Sequence, residues 1–227
     1  MTNPISDMLS SLQYADSFFP TGATSTSNGL EALVDDSVVQ NSKMLEDFIR
    51  GQLRWRWTPF ERPFLIAAFH GQQDLQKVAA LDHLIHAQSL AAEARQGSVR
   101  TGRALLRMHV AMDTPGASDY QRLVVAKLAR AHNPIVQGLV WGLSGVSEEK
   151  VELISAHTFC VTYLGAAIRL GIAGHQQSQT VLIRLHEDVQ ELVRTSPAQV
   201  GVATSFCPEQ EVATMRHEKL SSRLFLN

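Results

Sequence analysis

Histidines are the residues of this chain whose type and spacing come closest to a metal site. His83 and His86 lie three positions apart and would share one face of a helix, as would His157 and Cys160. A transition-metal site needs a third ligand at a suitable spacing, and neither pair has one. The spacing therefore favours surface or hydrogen-bonded core histidines, and no metal site is predicted.

The motifs of common hydrolases and nucleotide-binding proteins are incomplete. His-Glu dipeptides at residues 186 and 217 begin the His-Glu-x-x-His pattern of zinc proteases, but Gln190 and Ser221 occupy the position of its second histidine. There is no Gly-x-Ser-x-Gly elbow, and the carboxylates are spread along predicted helix faces. The Ser/Thr-rich residues 24–29 lack the phosphate-binding Gly-x-x-x-x-Gly-Lys-Ser/Thr pattern. The sequence indicates no catalytic centre and no cofactor, and favours an interaction protein over an enzyme.

The composition narrows the class of protein further. The 227 residues are 44% hydrophobic, enough for a sizeable core, and the net charge of -2 disfavours nucleic acid and anionic membranes as partners. Cys160 and Cys207 form no pair-spacing motif, which suggests a reducing compartment. Residues 1–7 lack the order of a secretory signal, and no apolar run approaches the roughly 20 residues that span a bilayer. These features predict a cytoplasmic protein that is not bound to membranes.

The element around which the chain is organised is a helix that begins near Ser147. Two glutamates follow this N-cap, and residues 158–168 carry no charged side chain, which predicts a central helix buried on nearly all sides. Gly171 and Gly174 would allow the chain to turn sharply where this helix ends. A second helix with one apolar stripe is predicted from about residue 176.

Along the rest of the chain, apolar residues recur at the three- and four-residue steps of helices. A sustained alternation of apolar and polar residues, which would indicate strands, is not found. The prediction is a single all-α globular domain, residues 1–227, of roughly nine to ten helices around the central apolar helix. Its N-terminus and a C-terminal tail from about residue 197 to 227 are expected to be mobile. Pro59 and Pro63 are expected to divide one helix, and Gly138 and Gly142 to allow close contact between helices.

Three local features have more than one interpretation. Phe18 and Phe19 stand beside a turn, where they plug the core or one of them meets a partner. The alternating Arg and Trp of residues 54–57 favour core tryptophans flanked by solvated arginines. Arg169 follows the apolar helix, and pairing with a buried carboxylate is favoured over exposure to a partner.

Short motifs along nearly the whole chain occur, in the same order, in one known family. They lie at residues 17–22 and 27–31, 96–106, 132–134 with 138–139, 168–171 with Gln179, 217–218 and 223–225. On these motifs the chain resembles the UreF family of urease accessory proteins. Asn28 stands where that family usually has histidine, Thr24 and Thr26 replace common aromatic positions, and His175 stands where glutamine is frequent.

The resemblance implies an all-α, non-catalytic helper that dimerises. Such a protein bridges the accessory protein UreD (UreH in some organisms) and the GTPase UreG, and the complex delivers nickel into apo-urease. Two alternatives stay open: an arginine such as Arg223 assists GTP hydrolysis by UreG, or histidines such as His83 and His86 make the protein a nickel carrier.

The partner-binding residues implied by the resemblance lie in two segments, one near each end of the chain. They are Phe19, Pro20, Gly22, Asn28, Gly29, Leu30, Glu31, Arg223, Leu224 and Phe225. A tail with a small apolar anchor that orders on a partner is also the independent interpretation of the C-terminal residues.

Overall fold

The computed structural model describes residues 4–217 and 223–226, which contain helices and no strand. The α-helices are α1 (Pro4–Ala15), α2 (Leu30–Asp35), α3 (Ser42–Gln52), α4 (Arg62–His70), α5 (Leu75–Gln88), α6 (Ala92–Ala111), α7 (Ala117–Val125), α8 (Asn133–Leu143), α9 (Glu148–Arg169), α10 (His175–Val193) and α11 (Pro208–Arg216). A π-helical segment, Leu53–Glu61, joins α3 to α4 into one continuous helix, so the described residues contain ten separate helices besides two short 3-10 helices, Ala23–Ser25 and Val200–Val202. The predicted all-α single domain is confirmed.

Some expectations fall on residues outside this description. Residues 1–3, 218–222 and 227 include part of the predicted mobile N-terminus and tail. They also include Glu218 of one sequence motif and Ser221 of the incomplete zinc-protease pattern. The mobility of the N-terminus and of the tail stays a prediction.

The central helix predicted from the uncharged run is α9. Its first half contributes Val151 and Ile154 to one apolar cluster, which also contains the crossing of α4 and α8. Its second half contributes Cys160 and Tyr163 to another cluster, shared with α2, α3 and α10. The other face of α9, which includes Thr162, is only partly buried. The helix therefore connects both halves of the core, but it is less completely enclosed than its composition suggested.

The start of α9 is held by a side chain from α1. Ser147 occupies the predicted N-cap position but makes no side-chain cap bond. Instead, buried Asp7 accepts hydrogen bonds from the Ser147 backbone N–H at 3.3 Å and from Lys150 Nζ at 2.7 Å. Burial alone would raise the pKa of Asp7, but the hydrogen bonds from Lys150 and Ser147 outweigh it and lower the pKa.

Among the described residues, α9 is the one helix long and apolar enough to cross a bilayer, with a mean hydropathy of 1.4 over its most apolar window. The expectation that no apolar run approaches this length was therefore wrong. The most apolar window is 56% buried inside the protein. Core helices of globular proteins pass the same test of length and composition, so this property of α9 is weak evidence for a membrane span.

Two prolines that were expected to divide a helix lie inside a continuous one. Pro59 and Pro63 have no N–H for the carbonyls four residues earlier, which belong to Trp55 and Pro59. The backbone N–H of Phe206 donates to the Trp55 carbonyl at 2.8 Å, and that of Thr204 donates to the Pro59 carbonyl at 3.1 Å. A segment far away in sequence thus satisfies both freed carbonyls, which helps the helix to continue through the π-helical segment.

We expect Phe206→Pro to destabilise the protein because the Trp55 carbonyl would lose its donor. The net loss of one such hydrogen bond costs about 1 kcal/mol. The Phe206 side chain itself is 74% exposed, so its loss contributes little. Ser205→Pro is the matched control, because the Ser205 backbone N–H donates to no group of a described residue. Equal losses for the two variants in denaturant unfolding would contradict this account.

The close helix contact predicted from Gly138 and Gly142 is confirmed where α8 crosses α4. A Cβ atom at Gly138 would lie 2.0 Å from the Leu65 carbonyl oxygen. At Gly142 it would lie 2.4 Å from Gln72 Nε2. Backbone meets backbone at this crossing, so α8 is held directly against α4.

Candidate partner-binding site

Residues 16–29, which we call the N-terminal loop, connect α1 to α2. The turn at its start separates the two phenylalanines. Phe19 is buried, with its ring 5.5 Å from that of Tyr14 and 5.9 Å from that of His109. Phe18 is 90% exposed. One phenylalanine therefore packs in the core and its neighbour is free to contact another molecule.

The end of the N-terminal loop has a backbone that few residue types adopt. Gly22, Asn28 and Gly29 have φ values of 71°, 50° and 87°. Asparagine tolerates the left-handed region better than most residues, which suits Asn28 to its position. A Cβ at Gly29 would lie 2.8 Å from Thr214 Oγ1, so α11 packs directly on the loop. The Gln210 side chain also donates to the Asn28 carbonyl at 3.0 Å.

Glu31, at the start of α2, joins the N-terminal loop to the C-terminal tail. Its buried carboxylate lies 2.6 Å from His217 Nε2 and accepts a hydrogen bond from the Leu224 backbone N–H, also at 2.6 Å. The Leu226 N–H donates to the Ser25 carbonyl at 2.9 Å. Residues 223–226 therefore lie along the loop, and Glu31 fixes them to it.

Phe225 holds the tail against the protein, with its aromatic ring packed under the guanidinium group of Arg169. Phe225 is 4% exposed, and Arg169 Cζ lies 4.1 Å from the centroid of its ring. No carboxylate of a described residue lies within ion-pair distance of Arg169. The expected pairing of Arg169 with a buried carboxylate was wrong, because this side chain is exposed and stacks on Phe225.

The structure brings the two predicted partner-binding segments together through Glu31. The set divides by exposure. The exposed members are Pro20, Gly22, Arg223 and Leu224, and Asn28 is half-buried. The buried members are Phe19, Gly29, Leu30, Glu31 and Phe225. A direct role in binding stays a prediction for all ten. In this conformation the buried ones position their neighbours.

Two exposed residues beside these segments were not in the predicted set. Phe18 and Leu226 are 90% and 66% exposed, and Leu224 is 67% exposed. We call Phe18, Arg223, Leu224 and Leu226 the loop–tail surface. The sequence signal for Phe18 was the pair of phenylalanines beside a turn, which does not show which ring is buried.

The arginine and tryptophan residues of the π-helical segment have different environments, and Arg56 lines the space behind the N-terminal loop. Trp57 is fully buried, as predicted, but Trp55 is 59% exposed, so the prediction of core tryptophans was wrong for Trp55. Arg56 is not solvated, since its Nε donates to Glu61 Oε1 at 2.8 Å and its side chain is 16% exposed. Five residues separate the two partners, which suits the wider turn of a π-helix.

Thiol and metal chemistry find little support among the described residues. Cys160 and Cys207 are free and buried, and burial raises the pKa of their thiols to about 12 and about 11. Both stay protonated near neutral pH and are poor nucleophiles. Residues 4–217 and 223–226 hold no group of three His, Cys, Asp or Glu side chains that suits a metal ion.

The histidines considered for metal binding have other partners. His86 Nδ1 lies 2.9 Å from His132 Nε2, and His83 Nε2 lies 3.0 Å from the Leu128 carbonyl. Burial lowers the pKa of His132 to about 4, with Asp82 opposing the shift and His86, Arg130 and Arg95 adding to it. The His86–His132 pair is therefore neutral near pH 7, with one ring nitrogen donating to the other.

We expect stability to fall in mild acid because of His109. Burial lowers the pKa of this histidine from 6.5 to about 4. The unfolded chain binds the proton first as the pH falls, so the stabilisation is present above pH 6.5 and is lost down to about pH 4. The free energy of unfolding should therefore fall by about 2 kcal/mol between pH 7 and pH 4.5. In guanidinium unfolding His109→Phe should reduce the pH dependence by that amount, and an unchanged pH dependence would contradict the assignment.

Comparisons with known proteins agree over the whole chain. The model of the UreF family matches residues 39–186. A relative from Trichodesmium erythraeum (strain IMS101), named urease accessory protein UreF, is 32% identical over 233 residues that cover all of both chains. A relative of the same name from Actinobacillus pleuropneumoniae is 28% identical over 230 residues, covering 95% of this chain and 97% of the relative. Another, from Haemophilus influenzae (strain PittGG), is 25% identical over 234 residues, covering 100% and 98%.

Proposed function

The chain belongs to the UreF family of urease accessory proteins, and from this premise we propose that it is a non-catalytic scaffold in urease maturation. It bridges UreD (UreH in some organisms) and the GTPase UreG, and through that complex it serves nickel insertion into apo-urease. It acts in the cytoplasm, as a homodimer. The relatives' name supports the accessory role, and the structure suggests which surface serves it.

The observation that supports bridging is the loop–tail surface. Its three apolar side chains are exposed, and the exposed Arg223 stands among them. Apolar side chains beside an arginine are typical of the centre of protein–protein interfaces. The surface is built from both ends of the chain, so Glu31 and Phe225 position it without being exposed themselves. Binding of a partner at this surface therefore depends on the docking of the tail.

The test is co-purification with UreD and UreG, comparing the full chain with one that ends before Ser221. We expect the shortened chain to lose at least one partner, and urease activation with it. Phe18→Ser combined with Leu224→Ser should weaken the same complex about 30-fold or more, since each side chain that matters in an interface contributes more than about 1 kcal/mol. Glu31→Gln should have a smaller effect in the same direction, because an amide accepts less strongly from His217 and Leu224.

The matched control is Leu90→Ser combined with Ile183→Ser. These side chains are 67% and 66% exposed, similar to Leu224, but lie outside the loop and tail. A complex that tolerates the control pair and is lost with the loop–tail pair supports the proposal. Equal effects of the two pairs, or a complex unaffected by the shortened tail, would move the contact surface elsewhere.

A second candidate role concerns Arg223 alone. This arginine is exposed and makes no ion pair with any described residue, so its guanidinium is free to reach the GTP site of UreG. In that case Arg223→Ala should leave the complex intact but slow GTP turnover, and Arg223→Lys should not restore the rate. Unchanged turnover by an intact complex would exclude the role. The nickel-carrier alternative gains no comparable support from the described histidines.

A further inference from the structure

A cavity of about 240 Å³ lies behind the N-terminal loop and is partly open to solvent. The loop, α6, α8, α9 and the π-helical segment enclose it. Tyr14, Phe19 and Trp141 contribute aromatic surface to its wall. Gln137, Arg56 and Glu61 contribute polar groups, so the cavity combines apolar walls with hydrogen-bonding side chains in the manner of small-molecule sites.

The orientation of the Gln137 amide is fixed by a chain of hydrogen bonds. Trp57 Nε1 can only donate, and it donates to Ser155 Oγ at 3.1 Å. The Ser155 hydroxyl therefore gives its own proton to Gln137 Oε1, at 3.1 Å. This leaves the Gln137 NH₂ group without a partner among the described residues, although the side chain lines the cavity and Gln137 is only 8% exposed. The cavity thus contains an oriented, unused pair of donors.

Arg56 adds a positive charge and more donors. The π-helical segment directs it toward Glu61, which uses one carboxylate oxygen on Arg56 Nε. Neither terminal NH₂ group of Arg56 bonds to a described residue. These groups form the edge of a guanidinium that binds carboxylates through two parallel hydrogen bonds.

Other charged side chains around the cavity lie nearer solvent. Asp16 is exposed, and its Oδ1 already accepts from the Phe18 N–H at 2.9 Å. Arg169 is also exposed and stacks on Phe225. Glu61 is therefore the one carboxylate of a described, partly buried residue in the wall, and Arg56 faces it. Asn133 Oδ1 is a buried acceptor in the wall without a partner among the described residues. The unused donors are the Gln137 NH₂ group and the terminal NH₂ groups of Arg56.

We propose that this cavity is a binding site for the carboxylate group of a small molecule. The carboxylate oxygens accept from Arg56 and from the Gln137 NH₂ group, and a short apolar remainder packs against the aromatic wall. The volume is about eight times the roughly 30 Å³ that one water molecule occupies in the liquid, which limits the ligand to a small molecule. The site goes beyond the scaffold role and does not depend on it, since ligand binding is measured on the isolated full chain.

The test is titration of the ¹⁵N-labelled full chain with sodium acetate, at constant ionic strength maintained with sodium chloride. Acetamide has the same shape without the charge and is the matched probe. The Gln137 side-chain NH₂ signals are identified by their disappearance in Gln137→Glu. We expect a saturable shift of these signals with acetate, and binding of acetamide weaker by about tenfold, the difference of a charge-assisted pair.

Two variants should change acetate affinity in opposite directions. Gln137→Glu keeps an acceptor for Ser155 but places a negative charge in the cavity, so affinity falls about tenfold or more. Glu61→Gln keeps an acceptor for Arg56 Nε and removes the competing charge, so affinity rises. Structural damage would lower affinity in both, which separates the two explanations. No saturable shift, equal binding of acetamide, or acetate affinity unchanged by Gln137→Glu would overturn the proposal.

Discussion

Gly138→Ala is expected to lower the free energy of unfolding by about 3 kcal/mol, because overpacking at a tight helix crossing is relieved only by moving backbone. The new methyl group would lie 2.0 Å from the Leu65 carbonyl oxygen and 3.1 Å from the Phe69 backbone nitrogen. These atoms belong to α4 and do not rotate away as a side chain does. The helices must separate, and neighbouring core side chains lose contacts. Thermal or denaturant unfolding of the purified chain measures the loss.

Gly165→Ala is the matched control. Gly165 also lies inside a helix, α9, but a Cβ there would meet nothing within 4 Å. The substitution should therefore stabilise the protein by about 1 kcal/mol, which is the difference in helix propensity between glycine and alanine. Opposite signs at the two glycines would separate packing from propensity. Destabilisation by both substitutions would show that the helix crossing is not the cause.

The helices could be predicted because apolar spacing and capping are local. The close contact at Gly138 was also predicted, but the spacing of two glycines does not identify α4 as the helix they meet. At Pro59 the prediction of a break between helices was wrong. The proline has no N–H to donate, but a distant segment donates to the Trp55 carbonyl through Phe206 and the helix continues. Local chemistry predicts what a residue leaves unsatisfied, and only the fold shows what satisfies it.

The candidate site was predicted less completely, since it is formed by contacts between the two ends of the chain. The resemblance indicated two segments that the fold brings together at Glu31, but it did not distinguish buried residues such as Glu31 from exposed ones. Neighbouring residues at a turn have different environments, so the sequence could not decide between Phe18 and Phe19. The stacking of Arg169 on Phe225 joins residues 56 positions apart, which no local pattern reveals.

Arg62→Met is expected to have an equally large effect, about 3–5 kcal/mol, which is the usual cost of breaking a buried ion pair from one side. Arg62 is 1% exposed and donates to Glu152 Oε2 at 2.9 Å. It also donates to the carbonyls of Leu192 and Val193, in the last turn of α10, and to that of Thr195, just after the helix. Burial already raises the pKa of Glu152 despite Arg62, so removal of the arginine leaves a carboxylate that must be protonated or buried unpaired.

The double variant Arg62→Met with Glu152→Met should recover part of this loss, because it removes the unpaired carboxylate. Only the arginine's hydrogen bonds to the carbonyls at and just after the end of α10 would then be missing. An exposed ion pair provides the comparison. Arg216 donates to Asp36, with side chains 57% and 29% exposed, and Arg216→Met should cost less than about 1 kcal/mol. A double variant as unstable as Arg62→Met would assign the loss to the carbonyls at the end of α10. Arg62 would then act mainly as a cap that holds α10 against α4, with the ion pair secondary.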